Sequence, residues 1–217
     1  MDLVLKNLTG TECWVFIDDV IVYSDTAEEH AKRLSDVLER FRRASLQLQP
    51  EKCVFAKEKF TYLGFELSHR GIEVSPNKVK AVQNFPTSKS VKDVRSFLGL
   101  ASFYRRLVPH FADIAKALTQ LTKKDKIWDW NQECQESFDN LKSKLTNTTV
   151  LVFPDFKVQF ILTTDASTVG LGAVLSQVHE GIERPISFAS RQLNKAESAY
   201  SASEHDFYQA KRHYIDK

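Results

Sequence analysis

Residues 13–23 read CWVFIDDVIVY, an apolar and β-branched run interrupted at its centre by the adjacent acids Asp18 and Asp19. Runs of this composition form strands and aspartate favours turns, so the stretch predicts a β-hairpin with two carboxylates at its tip. The pair has two readings. As a surface turn it needs nothing further. Set between buried strands, two ionised carboxylates would be costly unless a cation offset their repulsion and desolvation, and a hard divalent metal does this best.

Downstream, Thr26 and Glu29 have capping-box spacing, and Ala27, Ala31, Leu34, Leu38 and Phe41 recur at helical intervals, predicting a helix with one buried face. After Pro50, residues 53–55 and 60–67 have strand composition, and Arg70-Gly71 predicts a turn into Ile72 and Val74. Ser75-Pro76 opens a short helix that Phe85-Pro86 closes. Ser90 and Asp93 cap a second, whose stripe is Val91, Val94, Leu98, Ala101 and Leu107 or Val108. Further helices are predicted over 111–121 and 131–145, the latter with Cys134, Phe138, Leu141 and Leu145 on one side. Residues 158–164, 170–177 and 184–190 then read as three strands at hairpin spacing, with a helix from about Ser201.

Composition bounds the possibilities. A 42% hydrophobic content over 217 residues suits one large or two small globular domains. No apolar run approaches the roughly 20 residues that span a bilayer, and the first residues lack the order of a signal peptide, which predicts an intracellular protein without a membrane partner. Cys13, Cys53 and Cys134 lie far apart with no C-x-x-C pair, predicting reduced thiols. The net charge of +2 conceals an uneven distribution: residues 76–126 hold 11 Lys/Arg against 3 Asp/Glu, a local excess of +8, leaving −6 elsewhere. Such a basic middle is either a polyanion-binding surface or a solvated helical face.

The order of motifs narrows the choice. FIDDVIVYSDT followed by EEHAKRL resembles the aromatic-x-Asp-Asp motif of reverse transcriptases. LQLQPEKCVFAKEKFTYLGFELSHRGIEVSP resembles the next palm strands and the primer-grip hairpin, and SVKDVRSFLGLASFYRRLVPHFADIAKALTQLTKK the thumb. DWNQECQESFDNLKSKLTNTTVLVFPDF resembles the connecting segment, and FILTTDASTVGLGAVLSQ the first two RNase H strands. The resemblance covers essentially the whole chain in one order and is strongest to the Pol polyproteins of gypsy-class LTR retrotransposons.

That resemblance implies two-metal phosphoryl transfer, with Mg2+ as the ion. Asp18 and Asp19 match the polymerase metal ligands and catalytic pair. Asp165, in TTDAS, matches the first RNase H carboxylate, and Glu204 the second, although Ser201 and Glu204 also have capping-box spacing. Leu63, Gly64 and Phe65 match the primer grip, where a glycine lets backbone approach a primer; a packing glycine is the alternative. In Phe103-Tyr104-Arg105-Arg106, helical spacing assigns Phe103 to the core and leaves Tyr104, Arg105 and Arg106 as nucleic-acid contacts, the two arginines foremost. Gly170 and Gly172 would admit the minor groove of a hybrid, or else allow tight strand packing.

The resemblance also has gaps. The family draws a further polymerase carboxylate from a strand upstream of the pair, where this sequence has only Asp2 and Glu12, outside any such motif. Two later RNase H carboxylates would fall past residue 217. KRHYIDK resembles the end of the first RNase H helix but arrives about seven residues early, nearly two turns.

These readings predict an α+β chain in three parts: a partial reverse-transcriptase palm over 1–74, a helical thumb and connection over 75–149, and an incomplete RNase H-like α/β sheet domain over 150–217. The implied partners are an RNA–DNA hybrid or primer–template duplex, a dNTP in the parent enzyme, and the rest of a Pol polyprotein. The setting is cytoplasmic, particle-associated, or nuclear. The expected function is that of an RNA-directed DNA polymerase and RNase H fragment with weak or no turnover by itself. A non-catalytic hybrid-binding module is the alternative, and a degenerate element without function a third reading.

Overall fold

The computed structural model describes residues 1–124 and 126–197. They form two compact units, Met1–Ala56 and the chain from Lys57 onward. The division falls within what the sequence reading joined as residues 1–74, so the strands after Lys57 belong to the same unit as the helices.

In the first unit β1 (Cys13–Phe16) and β2 (Asp19–Val22) pair antiparallel, with Phe16 opposite Asp19. Helix α1 (Ala27–Arg43) starts at Thr26, whose hydroxyl accepts the Glu29 amide at 3.2 Å. Glu28 and Glu29 in its first turn and Arg40, Arg42 and Arg43 in its last complement the helix dipole. The core comprises Leu5, Leu8, Cys13, Val37 and Phe41. This corrects the predicted buried stripe: Phe41 is buried, but Ala27, Ala31 and Leu38 are exposed, and Val37 takes their place. A short two-stranded hairpin and the opening turns cover only the Val37–Phe41 row of the helix, so the rest of its apolar face lines an open groove. Residues 53–55, predicted as a strand, follow a 3-10 turn at Pro50–Lys52 and find no ladder partner among the described residues, leaving Val54 and Phe55 exposed.

In the second unit β3 (Lys59–Tyr62), β4 (Phe65–Ser68) and β5 (Gly71–Val74) form an antiparallel sheet in that order. Leu151 adds an isolated bridge to Ile72. Helices α2 (Pro76–Gln83), α3 (Val91–Phe103), α4 (Phe111–Ile114), α5 (Lys116–Leu121) and α6 (Gln132–Thr146) follow. The Ser90 hydroxyl accepts the Asp93 amide and donates to the Asp93 carboxylate, which also accepts the Lys89 amide and is held below its ordinary pKa by these bonds. The α6 stripe is buried as predicted, and Phe138 meets Phe97 with ring centroids 4.5 Å apart. The buried row of α3 is Val94, Phe97 and Ala101; Val91 and Leu98 are only half-buried.

The last sheet orders β6 (Ile161–Ala166), β7 (Gly170–His179) and β8 (Ile182–Gln192) as an antiparallel meander. It is fastened to α4 by the Ala112 amide, which donates to Ser190 Oγ at 2.9 Å. Beneath the segment leading into β6, the fully buried Gln177 donates to the carbonyls of Asp155 and Val158 at 2.7 and 2.8 Å. Among the described residues no helix is long and apolar enough to cross a membrane. The helix predicted from about Ser201 lies outside the described residues.

Candidate nucleic-acid interface and carboxylate sites

Leu63 and Gly64 form the loop between β3 and β4, with φ of 48° and 83°. Positive φ at both central positions is the type I′ pattern, whose twist matches that of the strands it joins. The turn is held from beneath. The Tyr104 hydroxyl donates to the Gly64 carbonyl at 2.9 Å, and a Cβ on Gly64 would sit 2.9 Å from that hydroxyl oxygen. Glycine is therefore required twice, for its φ and for this approach. Burial raises the phenol pKa above its ordinary value, so the donor proton is retained.

Tyr104, read from sequence as a nucleic-acid contact, is 1% exposed, whereas Phe103, assigned to the core, is 55% exposed. The correction has a geometric cause. Phe97, Ala101, Tyr104 and Val108 succeed one another at intervals of four, three and four, which is the buried row continued through the 3-10 turn Arg105–Leu107. Phe103 lies a quarter-turn off that row. Its ring stacks on Phe65 at 5.3 Å, with 24° between planes, beside the Leu63–Gly64 turn. Row arithmetic starting from Phe97 instead of Val91 would have found this.

The two arginines also divide. Arg105 donates to the Ser190 carbonyl of β8 and lies 5.6 Å from the Phe111 ring centroid, which ties the helices to the last sheet. Arg106 is exposed and has no side-chain partner among the described residues. Phe103, Arg106 and Leu63 are each exposed.

Asp18 and Asp19 occupy the β1–β2 loop and the first position of β2, and both are exposed. The burial cost considered from sequence therefore does not arise. Ile17, which precedes them, has φ of 57°, a left-handed conformation that a β-branched residue adopts only under strain. Asp165 stands in β6 opposite Gly172, with its side chain 69% exposed. His110, at φ 53° before α4, places Nδ1 4.0 Å from Asp165 Oδ2 and 4.0 Å from Asp113 Oδ2. A Cβ on Gly172 would lie 3.4 Å from that imidazole nitrogen, and one on Gly170 2.3 Å from Asp113 Oδ1. The two glycines thus accommodate side chains from the α4 turn of this chain, which is the packing alternative. His110 and Asp113 carried no signal in the sequence.

Glu204 lies outside the described residues, as does its proposed capping pair with Ser201. A capping box does occur earlier: Asn194 Oδ1 accepts the Glu197 amide and Glu197 accepts the Asn194 amide, both at 2.9 Å, while Arg191 grips the Glu197 carboxylate at 2.6 and 2.7 Å. Among the described residues no three His, Cys, Asp or Glu side chains converge as a metal cage.

Comparison with known proteins accounts for this assembly. Residues 1–67 match the family "Reverse transcriptase (RNA-dependent DNA polymerase)" and residues 130–212 the "RNase H-like domain found in reverse transcriptase". The chain is 42% identical over 205 residues to the retrovirus-related Pol polyprotein from transposon 297 of Drosophila melanogaster, covering 94% of this chain and 19% of that protein. Identity to the Pol polyprotein of transposon gypsy of the same organism is 40% over 218 residues, covering 95% and 21%. The chain therefore spans about a fifth of the length of these curated relatives. A foamy viral protease-reverse transcriptase solved in complex with dsDNA superposes over 99% of this chain and 45% of its own, with a TM-score of 0.84 and 25% identity. Another solved with an RNA/DNA hybrid shares the fold, with a TM-score of 0.82, 24% identity, and 99% and 30% of the two chains covered. The order of sheets and helices and the two family matches thus have one explanation: the chain belongs to the reverse transcriptase and RNase H-like region of gypsy-type retrotransposon Pol polyproteins.

Proposed function

We propose that the chain holds a base-paired primer–template or RNA–DNA duplex against the Leu63–Gly64 turn and the end of α3. The carrying observation is the exposed Phe103 ring, stacked on Phe65 beside a turn that Tyr104 fixes from within. An aromatic face so placed offers an apolar surface for a sugar or a stacking surface for a base at the duplex end, the latter an interaction of about 1–3 kcal/mol. Arg106 offers a charge to the adjoining phosphates. The basic segment 76–126 extends that attraction without reading sequence, and an A-like duplex suits a surface that reads shape.

In the parent enzyme this surface would present a primer end to an RNA-directed DNA polymerase that consumes a dNTP. Domains of these two families generally use divalent metal ions. Magnesium needs only one or two protein carboxylates, with water and substrate phosphate completing its shell, and the exposed oxygens of Asp18 and Asp19 suit that requirement. Asp165, with Glu204, would hold the nuclease ions. Bound there, the ions would stabilise charge on the attacking and leaving oxygens of phosphoryl transfer. By itself the chain is expected to bind with weak or no turnover, in a cytoplasmic or nuclear setting.

The test is binding and cleavage of a labelled RNA–DNA hybrid with and without magnesium across a salt series. Binding with a steep salt slope and no cleavage supports the reading. Magnesium-dependent cleavage lost in Asp165→Asn makes the chain a working nuclease and overturns the expectation of weak turnover. Absence of binding at low salt removes the function proposed.

A further inference from the structure

We propose that a groove flanked by Arg70 and Arg184 is a second phosphate-binding point, engaging the backbone of the strand held at the Leu63–Gly64 turn. The inference rests on the duplex-binding reading and adds a location and a ligand chemistry to it. The groove has a volume of about 390 Å³ and is lined by Arg70, Thr149, Val150, Val152, Arg184 and Pro185.

Its floor is locked backbone from three distant segments. The Ile72 amide donates to the Leu151 carbonyl at 2.7 Å, the Leu151 amide to the Ile72 carbonyl at 3.1 Å, and the Val152 amide to the Pro185 carbonyl at 2.9 Å. Gly71, at φ +131°, makes the approach possible, since a Cβ there would lie 2.0 Å from the Leu151 oxygen. The two arginines are therefore carried on a rigid frame.

Their charge is largely uncommitted. Arg184 has no side-chain partner among the described residues. Arg70 approaches only Glu73, at 3.9 Å with its side chain 58% exposed, a pairing that water screens. No acid lines the groove, and the Val150, Val152 and Pro185 side chains carry neither charge nor acceptor. Guanidinium forks beside a groove whose lining holds no carboxylate match the oxygens of a phosphate. The placement favours a strand over a free nucleotide. Arg70 and Gly64 lie at opposite ends of β4, roughly 13–17 Å apart at about 3.3 Å per residue. At about 3.4 Å of axis per phosphate, one strand spans that interval in four or five nucleotides.

The experiment measures hybrid affinity of the full chain against salt for wild type, R70Q/R184Q, R70K/R184K and R106Q. Each phosphate contact contributes about 0.9 to the slope of log K against log salt. R70Q/R184Q is expected to reduce the slope by roughly 1.8 and to weaken binding about tenfold at moderate salt, while the lysine pair restores the slope. An unchanged slope in R70Q/R184Q alongside a reduced one in R106Q overturns the groove and leaves the duplex reading intact. Should the wild type fail to bind any hybrid, the duplex reading falls and pyrophosphate becomes the probe, followed by the amide resonances of Thr149, Val150 and Val152. Saturable shifts abolished in R70Q/R184Q keep the groove as a phosphate site; unmoved resonances dismiss it. Pyrophosphate shifts with an unaltered hybrid slope assign the groove to free phosphates and overturn the strand contact.

Discussion

Both the β1–β2 and the β3–β4 hairpin pair two four-residue strands across a two-residue loop, and both impose positive φ on an apolar loop residue, Ile17 in one and Leu63 in the other. They differ in what lies beneath. The Leu63–Gly64 turn is tied by Tyr104, flanked by the Phe65–Phe103 stack and backed by a core that runs through α3 and α6. The Ile17–Asp18 turn has only its own ladder, with Trp14, Phe16 and Ile17 exposed around it. A loop over-determined by tertiary contacts keeps its geometry without a ligand. One determined locally takes its final geometry from whatever binds it, so the Leu63–Gly64 turn is preorganised and the acidic turn is adaptable.

The contrast breaks most readily at Tyr104. Tyr104→Ala should destabilise the chain by about 3–5 kcal/mol, as for other fully buried aromatics, read as a lower urea midpoint. Phe103→Ala should cost little stability yet weaken hybrid binding by about 1–3 kcal/mol. If the two substitutions melt alike, the division of labour between neighbouring rings is wrong.

Tyr104→Phe isolates the hydrogen bond, with an expected loss of about 1–2 kcal/mol at neutral pH. Its pH dependence follows from the raised phenol pKa. That contribution is fully present below the unfolded phenol value of about 10 and is lost as pH rises through the higher folded value. Wild type should therefore show an alkaline stability step in denaturation curves that the Phe variant lacks.

The acidic hairpin should respond in the opposite sense and more weakly. Ile17→Gly removes a left-handed strain of about 1–2 kcal/mol while adding unfolded-state entropy of about 0.5–1 kcal/mol, for a net gain of about 0–1.5 kcal/mol. A clear loss of stability would mean that this turn is held by its side chain after all. Smallest of all, Asp18→Asn and Asp19→Asn should alter stability by less than about 0.5 kcal/mol. Any magnesium-dependent rise in melting temperature contributed by this turn should disappear with either change.

Much of this was legible because it is local. The Asp18–Asp19 hairpin, the Thr26 and Ser90 caps, the α6 stripe and the three-strand meander all follow from residues within a few positions of one another. Periodicity and capping are properties of the nearest turns of chain, and sequence records them directly. Motif order then carried the family.

Which face each element buries was decided elsewhere. Sequence read α1 as buried along Ala27, Ala31, Leu34, Leu38 and Phe41, and of these only Phe41 is fully buried, because the hairpin against it covers the Val37–Phe41 row. Tyr104 turned inward along the local row continued from Phe97, but the partner of its hydroxyl, a carbonyl 40 positions away, was set by the packing of distant segments. Arg105 stays exposed but is tied to a carbonyl 85 positions away, and Gly170 and Gly172 lie against side chains of the α4 turn. From its sequence alone this protein is determined as an ordered series of hairpins and capped helices with acids at two known positions. Only the tertiary structure decided which arginine is tied to the last sheet and what the glycines accommodate, because contacts between distant residues depend on how separate surfaces close on one another, and no local pattern encodes that.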